Sequence, residues 1–543
     1  MGGGHTTDSV NRELFTDAAE SETASNTLAL GAKEYPSMKR TQRITLIAVI
    51  IALLLVPLVS RYAAAASNPV AATVEEAVIL TPKPGPTPRI NGPKVYGCGP
   101  SHPFLYRIPC TGVRPMIFAT EGLPSSLKLD SMTGIITGTV PERGEYRVTF
   151  TAKNQFGRSE RVMKIVAGDR LSLTPQMGFN DWYAYYNRVT DLDMRTAADI
   201  MIAKGMADAG YQYVNIDDCW MGKRDAAGNI TGNKKFPNMK ALADYIHSKG
   251  LKAGIYTSPG PRTCAGYPGA WRHEAQDAKQ FAEWGFDFLK YDWCSYGEVA
   301  GGKDLAALQK PYRLMSKLLK QQNRDIVLNL CQYGMGDVWN WGGDVGGHSW
   351  RTGGDLGFEL NRIFEVALKN CALRKHNKPG EWNDPDYIQI GWIGNANAMG
   401  KARPAPLTPN ESYSFMSLWC LMAAPLFYSG DMTKLDDFAL NVLCNPELID
   451  VDQDPLGECA QTVGDVSNTL VLVKNLEDGT KAVGLFNRGD FVVPVTVKWS
   501  DLGLAGKQQN VRDLWRQKDL GGFENQFSAP IGRHGAMMLR IRQ

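Results

Sequence analysis

Short apolar runs alternate with amphipathic stretches through the middle of the chain, and each run ends in polar or charged residues. The runs have the length and composition of buried strands, and the stretches between them, such as 275–284 and 314–319, have helical periodicity. Eight runs lie between Met177 and Asp431. Their ends are spaced roughly 23 to 45 residues apart, which fits the about 30 residues per unit of a (β/α)8 TIM barrel. We therefore predict such a barrel over residues 169–455.

One of these runs, Phe286 to Cys294, carries a lysine and a carboxylate at its end. Lys290 and Asp292 are two residues apart, so in a strand their side chains emerge on the same face. A neighbouring ammonium favours the ionised carboxylate and lowers its pKa, which suits Asp292 to act as an anionic nucleophile. A structural ion pair at the rim of a sheet explains these two residues alone equally well.

Alternating apolar and polar residues flank the barrel region on both sides. Tyr146 to Ala152 alternates in this way, and Thr469 to Lys474 and Lys481 to Asn487 do so after the barrel. This pattern predicts half-buried antiparallel strands. We expect an Ig-like β-sandwich over residues 94–168 and an antiparallel β-sandwich over 456–543. The predicted fold class is multidomain, α/β plus all-β.

The first 93 residues divide into three segments by composition. Residues 1–43 are polar without apolar periodicity, which predicts disorder, and residues 67–93 are rich in Pro, Ala and Thr, which predicts an extended linker. Between them, 44–66 has the basic flank, apolar run and small residues of a signal peptide, although 44–60 is also long enough for a marginal membrane anchor. A start at Met38 would give an ordinary signal peptide. The expected location is outside the cytoplasm, extracellular or periplasmic, with or without a tether.

Charge and cysteine content narrow the function classes. The chain has 543 residues and a net charge of +3, so nothing in it favours a nucleic-acid partner. Its seven His include no pair at metal-ligand spacing, and Cys-x-x-Cys is absent from the sequence, so no zinc site is expected. In an exported protein the ten cysteines can form disulfides. Cys98 and Cys110 lie close together in a Pro/Gly-rich segment and are expected to pair.

Barrel closure would collect the polar strand ends at one mouth, because the C-terminal ends of all strands face the same side. Many carboxylates would then converge there on two cations, an arrangement that repulsion makes costly unless it has a use. The converging residues are Asp181, Asp217, Asp218, Lys290, Asp292, Arg351, Asp355, Asp384 and Asp386. A Mg or Ca site is one use. Lys290 and Arg351 argue against it, and aromatic residues at the same rim, among them Trp182 and Tyr256, favour a sugar ring.

Seven motifs in this region stand in the order found in glycoside hydrolase family 27. The motifs are MGFNDW at 177–182, NIDDCW at 215–220, GIY at 254–256, CAGYPG at 264–269, KYDWC at 290–294, WRTGGD at 350–355 and WNDPD at 382–386. From about Leu171 to the C-terminus the chain strongly resembles the α-galactosidases of that family. The segment 95–167 resembles the immunoglobulin-like domains that precede many secreted bacterial glycosidases.

The family resemblance implies a role for each matching residue. Asp292 matches the nucleophile and Asp355 the acid/base of a retaining enzyme that uses no cofactor and no metal. Cys264 and Cys294 match a disulfide that borders the pocket. The residues that match sugar-contacting positions are Trp182, Asp217, Asp218, Tyr256, Cys264, Lys290, Gln332, Arg351 and Asp386. The implied substrate is an α-galactoside oligosaccharide or polysaccharide, and the oligomeric state is left open.

One position departs from the family pattern. Gln332 stands where the animal enzymes have Glu, and it is followed by the bulky Tyr333. The pair leaves little room for an N-acetyl group, which favours galactose over N-acetylgalactosamine. The alternatives are another family 27 specificity, β-L-arabinopyranosidase or α-N-acetylgalactosaminidase, or a carbohydrate-binding protein without activity. Cys219 and Cys331 lack the partners of animal members and are expected to stay reduced.

Overall fold

The computed structural model describes residues 75–394, 401–504 and 508–542. In chain order the strands of the central region are β10 (Met177–Asn180), β11 (Tyr213–Asn215), β12 (Met221–Arg224), β13 (Ile230–Gly232), β14 (Lys252–Thr257), β15 (Phe288–Asp292), β16 (Val327–Cys331), β17 (Ser349–Arg351), β18 (Trp382–Asp384), β19 (Trp392–Ile393), β20 (Arg403–Pro404) and β21 (Leu426–Tyr428). Eight of them form one sheet of parallel strands in the order β18-β17-β16-β15-β14-β11-β10-β21. The predicted barrel is confirmed.

The barrel closes through Ile388, which lies shortly beyond the end of β18. Ile388 makes a parallel bridge with Tyr428. Its backbone N–H donates to the Phe427 carbonyl at 2.8 Å, and its carbonyl accepts from the Ser429 N–H at 2.9 Å. The strand ends therefore lie around one mouth, as closure of the sheet requires.

Ten α-helices are described, and most of them cover the outside of the barrel. They are α1 (Trp182–Tyr185), α2 (Asp191–Ala203), α3 (Met206–Ala209), α4 (Met239–Ser248), α5 (Glu274–Trp284), α6 (Leu305–Leu319), α7 (Leu360–Ala372), α8 (Pro409–Met422), α9 (Asp437–Leu443) and α10 (Pro446–Asp452). The predicted helical stretches lie within α5 and α6. Asn238 caps α4 and Asp304 caps α6, each by accepting a backbone N–H that the helix itself leaves unpaired.

A small β-domain precedes the barrel, as predicted. Its strands are β1 (Arg89–Ile90), β2 (Val95–Cys98), β3 (Pro103–Arg107), β4 (Cys110–Thr111), β5 (Ile117–Glu121), β6 (Leu127–Leu129), β7 (Ile135–Thr139), β8 (Gly144–Asn154) and β9 (Gly157–Ala167). They form a four-stranded sheet, β2-β9-β8-β5, a three-stranded sheet, β3-β7-β6, and the pair β1-β4. A separate core lies between the sheets and includes Tyr106, Val148 and Ile165.

The predicted Cys98–Cys110 disulfide is wrong. Both cysteines are buried free thiols. Cys98 lies on β2, which pairs with β9, whereas Cys110 lies on β4, which pairs with β1. Each thiol donates to a backbone carbonyl, that of Val166 at 3.7 Å and that of Thr111 at 3.6 Å. Closeness in sequence did not become closeness in space, because the two residues belong to different sheets.

The described part of the predicted linker, 75–93, is bound to the barrel domain and does not act as a free spacer. The Asn441 amide donates to the Thr81 carbonyl at 2.7 Å, and its oxygen accepts the Thr81 N–H at 3.1 Å. The Tyr413 hydroxyl donates to the Val78 carbonyl at 2.8 Å. Proline-rich backbone lacks strand partners, so side-chain amides and hydroxyls supply its hydrogen bonds. Strand β1 already belongs to the Ig-like domain, which therefore begins before the predicted residue 94.

The C-terminal domain is a β-sandwich, as predicted. Its strands are β22 (Gln461–Val466), β23 (Thr469–Asn475), β24 (Lys481–Asn487), β25 (Val493–Lys498), β26 (Gln509–Asp513), β27 (Lys518–Phe523), β28 (Gln526–Ile531) and β29 (Ala536–Arg542). Helix α8 is buried along nearly its whole length and contacts both the barrel helices and the sandwich. Trp515 of the sandwich donates its indole N–H to the Ser417 hydroxyl of α8 at 3.0 Å.

Within the described ranges, no helix is both long and apolar enough to span a bilayer. The predicted disordered segment 1–43 and the signal or anchor segment 44–66 lie outside those ranges.

Candidate active site

A cavity of about 290 Å³ opens at the C-terminal ends of the barrel strands. Its walls are formed by Trp182, Tyr186, Asp217, Tyr256, Cys264, Lys290, Asp292, Cys331, Tyr333 and Asp355. The two carboxylates predicted to do the chemistry, Asp292 and Asp355, therefore face one space, although 62 residues lie between them in the sequence.

Strand register explains which side chains face the cavity. Lys290 and Asp292 both lie on β15 and share a face because they are two residues apart. On the neighbouring strand β16, Asn329 pairs with Lys290 and Cys331 pairs with Asp292. The face that carries the nucleophile candidate thus also carries Cys331.

The cation on this face binds a different carboxylate from the one predicted. The Lys290 ammonium donates to Asp217 at 2.8 Å, and both side chains are almost completely buried. The Asn180 amide donates to the same Asp217 oxygen at 3.0 Å. Burial raises the pKa of Asp292, and the Lys290 charge and a hydrogen bond from the Tyr333 hydroxyl oppose that rise without cancelling it. The predicted lowering of the Asp292 pKa is therefore wrong, because desolvation outweighs the neighbouring charge.

Asp355 is the more solvent-accessible of the two carboxylates and contacts a buried arginine. The exposed fraction of its side chain is 41%, and Arg351 lies 3.4 Å from it. The Arg351 guanidinium also donates to Asp386 at 3.0 Å. Asp386 has a φ of 101° and accepts a second hydrogen bond from the Tyr183 hydroxyl at 2.9 Å. This strained, fully buried aspartate fixes the arginine, which in turn lies against Asp355.

A disulfide joins Cys264 and Cys294 at the edge of the cavity, with their Cα atoms 5.0 Å apart. The pairing implied by the family resemblance is confirmed, and Cys219 and Cys331 are free thiols, as expected. Among the described residues, Cys264, Cys294 and Asp292 form one cluster of metal-ligand type. The two sulfur atoms are bonded to each other, so neither can act as a thiolate ligand.

Comparison with known proteins identifies the family. The family model described as Alpha galactosidase A matches residues 186–454, and that of the Alpha galactosidase C-terminal beta sandwich domain matches 467–541. Alpha-galactosidase A of Cellvibrio japonicus is 36% identical over 397 residues, covering 69% of this chain and 93% of the relative. The chain belongs to the α-galactosidase family, glycoside hydrolase family 27. An Ig domain model matches residues 101–167, within the predicted N-terminal sandwich.

Solved structures of similar proteins agree with this family assignment. A Bacteroides fragilis protein described as a candidate alpha-galactosidase/melibiase is 35% identical, with a TM-score of 0.79, and the match covers 86% of this chain and 99% of that one. Alpha-galactosidase I of Mortierella vinacea is 30% identical, with a TM-score of 0.62, and the match covers 69% of this chain and 98% of that one.

Of the sugar-contacting residues implied by the family, Trp182, Asp217, Tyr256, Cys264 and Lys290 line the cavity. Asp218, Gln332, Arg351 and Asp386 lie behind the lining. Asp218 accepts the backbone N–H groups of Cys219 at 2.7 Å and Ala265 at 2.8 Å, and its pKa is raised to about 6 by burial. It therefore supports the loop that carries Cys264. Gln332 is buried and does not line the cavity, and its contact with the sugar C2 substituent stays a prediction.

Three cavity residues were not among the predicted site residues: Tyr186, Cys331 and Tyr333. Tyr186 stacks edge-on against Trp182, with 4.8 Å between ring centroids. Cys331 could have been found by aligning β16 with β15, since parallel register places it beside Asp292. Tyr333 was predicted only as bulk near the sugar, and its hydroxyl donates to Asp292.

Proposed function

We propose that this chain is a retaining exo-glycosidase that removes terminal α-galactosyl residues from oligosaccharides or polysaccharides. The observation that carries the proposal is one small cavity onto which both Asp292 and Asp355 open. Its volume of about 290 Å³ lies just below the roughly 300–1,000 Å³ typical of ligand pockets, which suits one sugar ring. The identity of the sugar is inferred from the family, because relatives at 36–37% identity are named alpha-galactosidases.

The two carboxylates have the environments that a double displacement requires. Asp292 is 5% exposed and accepts a hydrogen bond from Tyr333, so it is held against the sugar as the attacking group. Asp355 is partly open to solvent, where it can protonate the departing oxygen and then take a proton from an incoming water. Asp292 would form the covalent glycosyl-enzyme between these two steps.

The remaining lining residues would bind and orient the ring. Trp182, Tyr186 and Tyr256 give the cavity aromatic walls for the C–H face of a sugar. Asp217 keeps one face of its carboxylate on the cavity while Lys290 balances its charge, so it can accept a sugar hydroxyl without leaving an unpaired buried anion. We assign it to the hydroxyls at C4 and C6.

A hydrolysis panel tests this proposal. Purified protein should release p-nitrophenol from p-nitrophenyl α-galactoside much faster than from the β-L-arabinopyranoside or the α-N-acetylgalactosaminide. Proton NMR of the first product should show the α-anomer, because two inversions retain configuration. Preference for either other sugar would replace the specificity proposal, and absence of all hydrolysis would favour a binding protein without activity.

We further propose that the protein is exported through residues 44–66, either as a secreted protein or one tethered by 44–60. The disulfide Cys264–Cys294 supports this, since such bonds persist in oxidising compartments. Mass spectrometry of the mature N-terminus would distinguish the two forms. A protein that begins near Ala66 is secreted, and one that keeps residues 44–60 is tethered.

A further inference from the structure

The Tyr333 hydroxyl lies between the proposed nucleophile and the cavity disulfide. It donates to Oδ1 of Asp292. The sulfur atoms of Cys264 and Cys294 lie 3.6 and 3.7 Å from the same hydroxyl oxygen. The hydroxyl is therefore packed on one side by the two sulfurs and directed on the other side toward a single carboxylate oxygen.

The backbone at Tyr333 adopts a strained conformation that brings its hydroxyl to this position. Its φ of 66° lies in the left-handed region, which costs a residue other than glycine about 1 kcal/mol or more. Gly334 follows with a φ of 87°, and a Cβ atom there would lie 2.7 Å from the Thr352 carbonyl oxygen. The chain thus turns sharply directly after β16 and brings the tyrosine ring back over the strand end. Strain of this kind beside a reactive group points to a task for the side chain.

The other polar groups around Asp292 are poor candidates for a strong hydrogen bond to its carboxylate. Lys290 is committed to Asp217 at 2.8 Å. Asp217 and Asp355 are themselves carboxylates on the cavity, and Tyr256 directs its hydroxyl to Cys294 at 3.5 Å. Cys331 supplies a second, weaker donor to Asp292. Tyr333 is therefore the strong neutral donor among the described groups around the nucleophile.

We propose that Tyr333 is a positioning residue that holds Oδ1 of Asp292, so that Oδ2 is the atom that attacks the sugar. The inference rests on the proposed retaining function. In the first step Oδ2 bonds to C1, the bond from C1 to the glycosidic oxygen breaks, and the proton of Asp355 moves to that oxygen. In the second step a water oxygen bonds to C1, the C1–Oδ2 bond breaks, and Asp355 takes the water proton.

The hydrogen bond from Tyr333 should matter more in the second step than in the first. A donor to Oδ1 stabilises the negative charge that returns to Asp292 as it leaves C1. In the first step the same hydrogen bond makes the Asp292 carboxylate less basic. A variant without the bond has a more reactive nucleophile, which partly offsets the lost positioning of the carboxylate in that step. Removing the hydroxyl should therefore slow breakdown of the glycosyl-enzyme more than its formation.

Substitution of the hydroxyl tests this directly. Tyr333→Phe keeps the ring and removes the donor, and we expect kcat to fall by about 10- to 100-fold, the usual range for a hydrogen bond to a charged group. KM should fall with kcat, because the glycosyl-enzyme accumulates. Rapid mixing with p-nitrophenyl α-galactoside should then show a burst of nitrophenol. The acid limb of the pH profile of kcat/KM should move to higher pH, since the lost bond favoured ionised Asp292.

A matched control separates this effect from the general loss of a tyrosine hydroxyl. Tyr245 donates to Asp199 at 2.7 Å, on a surface helix outside the cavity lining. Tyr245→Phe should leave the burst, KM and pH profile as in the wild type. Tyr333→Met also removes the donor while keeping an apolar side chain and should behave as Tyr333→Phe does, so a folding defect in one variant does not remove the test.

Three outcomes distinguish this inference from the proposed function. A burst, a lowered KM and a shifted acid limb in the Tyr333 variants support it. A raised KM without a burst, or kinetics equal to the wild type, overturns the inference and leaves Tyr333 as a residue that only lines the cavity. A wild-type protein that does not turn over the aryl α-galactoside overturns the proposed function itself, and the positioning role with it.

Discussion

Two buried lysines, Lys290 at the cavity and Lys474 at the joint between the barrel and the sandwich, each lie near a buried aspartate. Lys290 contacts Asp217 at 2.8 Å, and its pKa is raised by the Asp217 charge in spite of burial. Lys474 donates instead to the Val451 carbonyl at 2.6 Å, and burial lowers its pKa. Its neighbour Asp452 has its pKa raised to about 8 by burial.

The two sites differ in how many hydrogen-bond and ion-pair partners each buried carboxylate has. Asp217 receives the Lys290 ammonium and the Asn180 amide on one oxygen, and the Asp218 backbone N–H on the other. Asp452 receives only the Gln453 amide on one oxygen, and its other oxygen has no partner among the described residues. Lys290 is in direct contact with a carboxylate, whereas no ion pair joins Lys474 to Asp452 in the described residues, and burial shifts both of these groups toward their neutral forms. The two sites therefore differ in whether the buried lysine has a carboxylate partner.

The largest effect is expected at the nucleophile of the charged site. Asp292→Asn should reduce turnover of every galactoside by about 10⁴-fold or more, because no covalent intermediate can form. Asp355→Asn should retain activity on aryl galactosides with very acidic leaving groups, which need no proton to depart. Steady-state kinetics across a series of leaving groups measures both. Equal losses on every substrate for the two variants would contradict the assigned roles.

Removal of each lysine contrasts the two sites directly. Lys290→Met leaves Asp217 buried without its cation, which should cost about 3–5 kcal/mol of stability and most of the activity. Lys474→Met leaves a buried carbonyl without a donor, which should cost about 1–3 kcal/mol and leave kcat/KM unchanged. Denaturant unfolding and initial rates measure the two variants side by side. A loss of about 3–5 kcal/mol for Lys474→Met would show that this site carries charge as well.

A further effect concerns how stability depends on pH. Between the unfolded pKa of 3.8 and the folded pKa of about 8, folded Asp452 holds a proton that the unfolded chain has lost. This stabilisation is complete below about pH 4 and is lost as pH rises through about 8. Asp452→Asn cannot titrate, so its free energy of unfolding should fall less over that range than that of the wild type.

Denaturant unfolding across that pH window measures the Asp452 effect. Asp244, an exposed residue paired with Lys240, provides the control, and Asp244→Asn should follow the wild-type pH dependence. Parallel curves for Asp452→Asn and the wild type would show that Asp452 is ionised in the folded protein.

Local pattern was sufficient for the parts of the fold that depend on neighbours in sequence. The alternation of apolar runs and amphipathic stretches predicted the barrel, and period-two alternation predicted both flanking sandwiches. Residues two apart on one strand, such as Lys290 and Asp292, were correctly expected to share a face. The family motifs led to the Cys264–Cys294 pairing, which proximity in sequence would not have suggested.

Contacts between residues far apart in the sequence could not be predicted from these local patterns. The Cys98–Cys110 prediction failed because strand pairing placed the two residues in different sheets. The linker prediction failed because Asn441, 360 residues from Thr81, supplies the hydrogen bonds that hold it. The pKa of Asp292 was predicted to shift in the wrong direction. Burial depends on everything packed around the carboxylate, and Lys290 contacts Asp217 instead.

The amino-acid sequence by itself determined which residues lie at the strand ends and which family the motifs match, because side-chain periodicity and motif order are local properties. Only the tertiary structure decided which of these residues face the cavity, which carboxylate pairs with Lys290, and that Tyr333 turns back to reach Asp292. Those results depend on register between strands, on the strained turn after β16 and on desolvation, and each of these arises only when distant parts of the chain pack together.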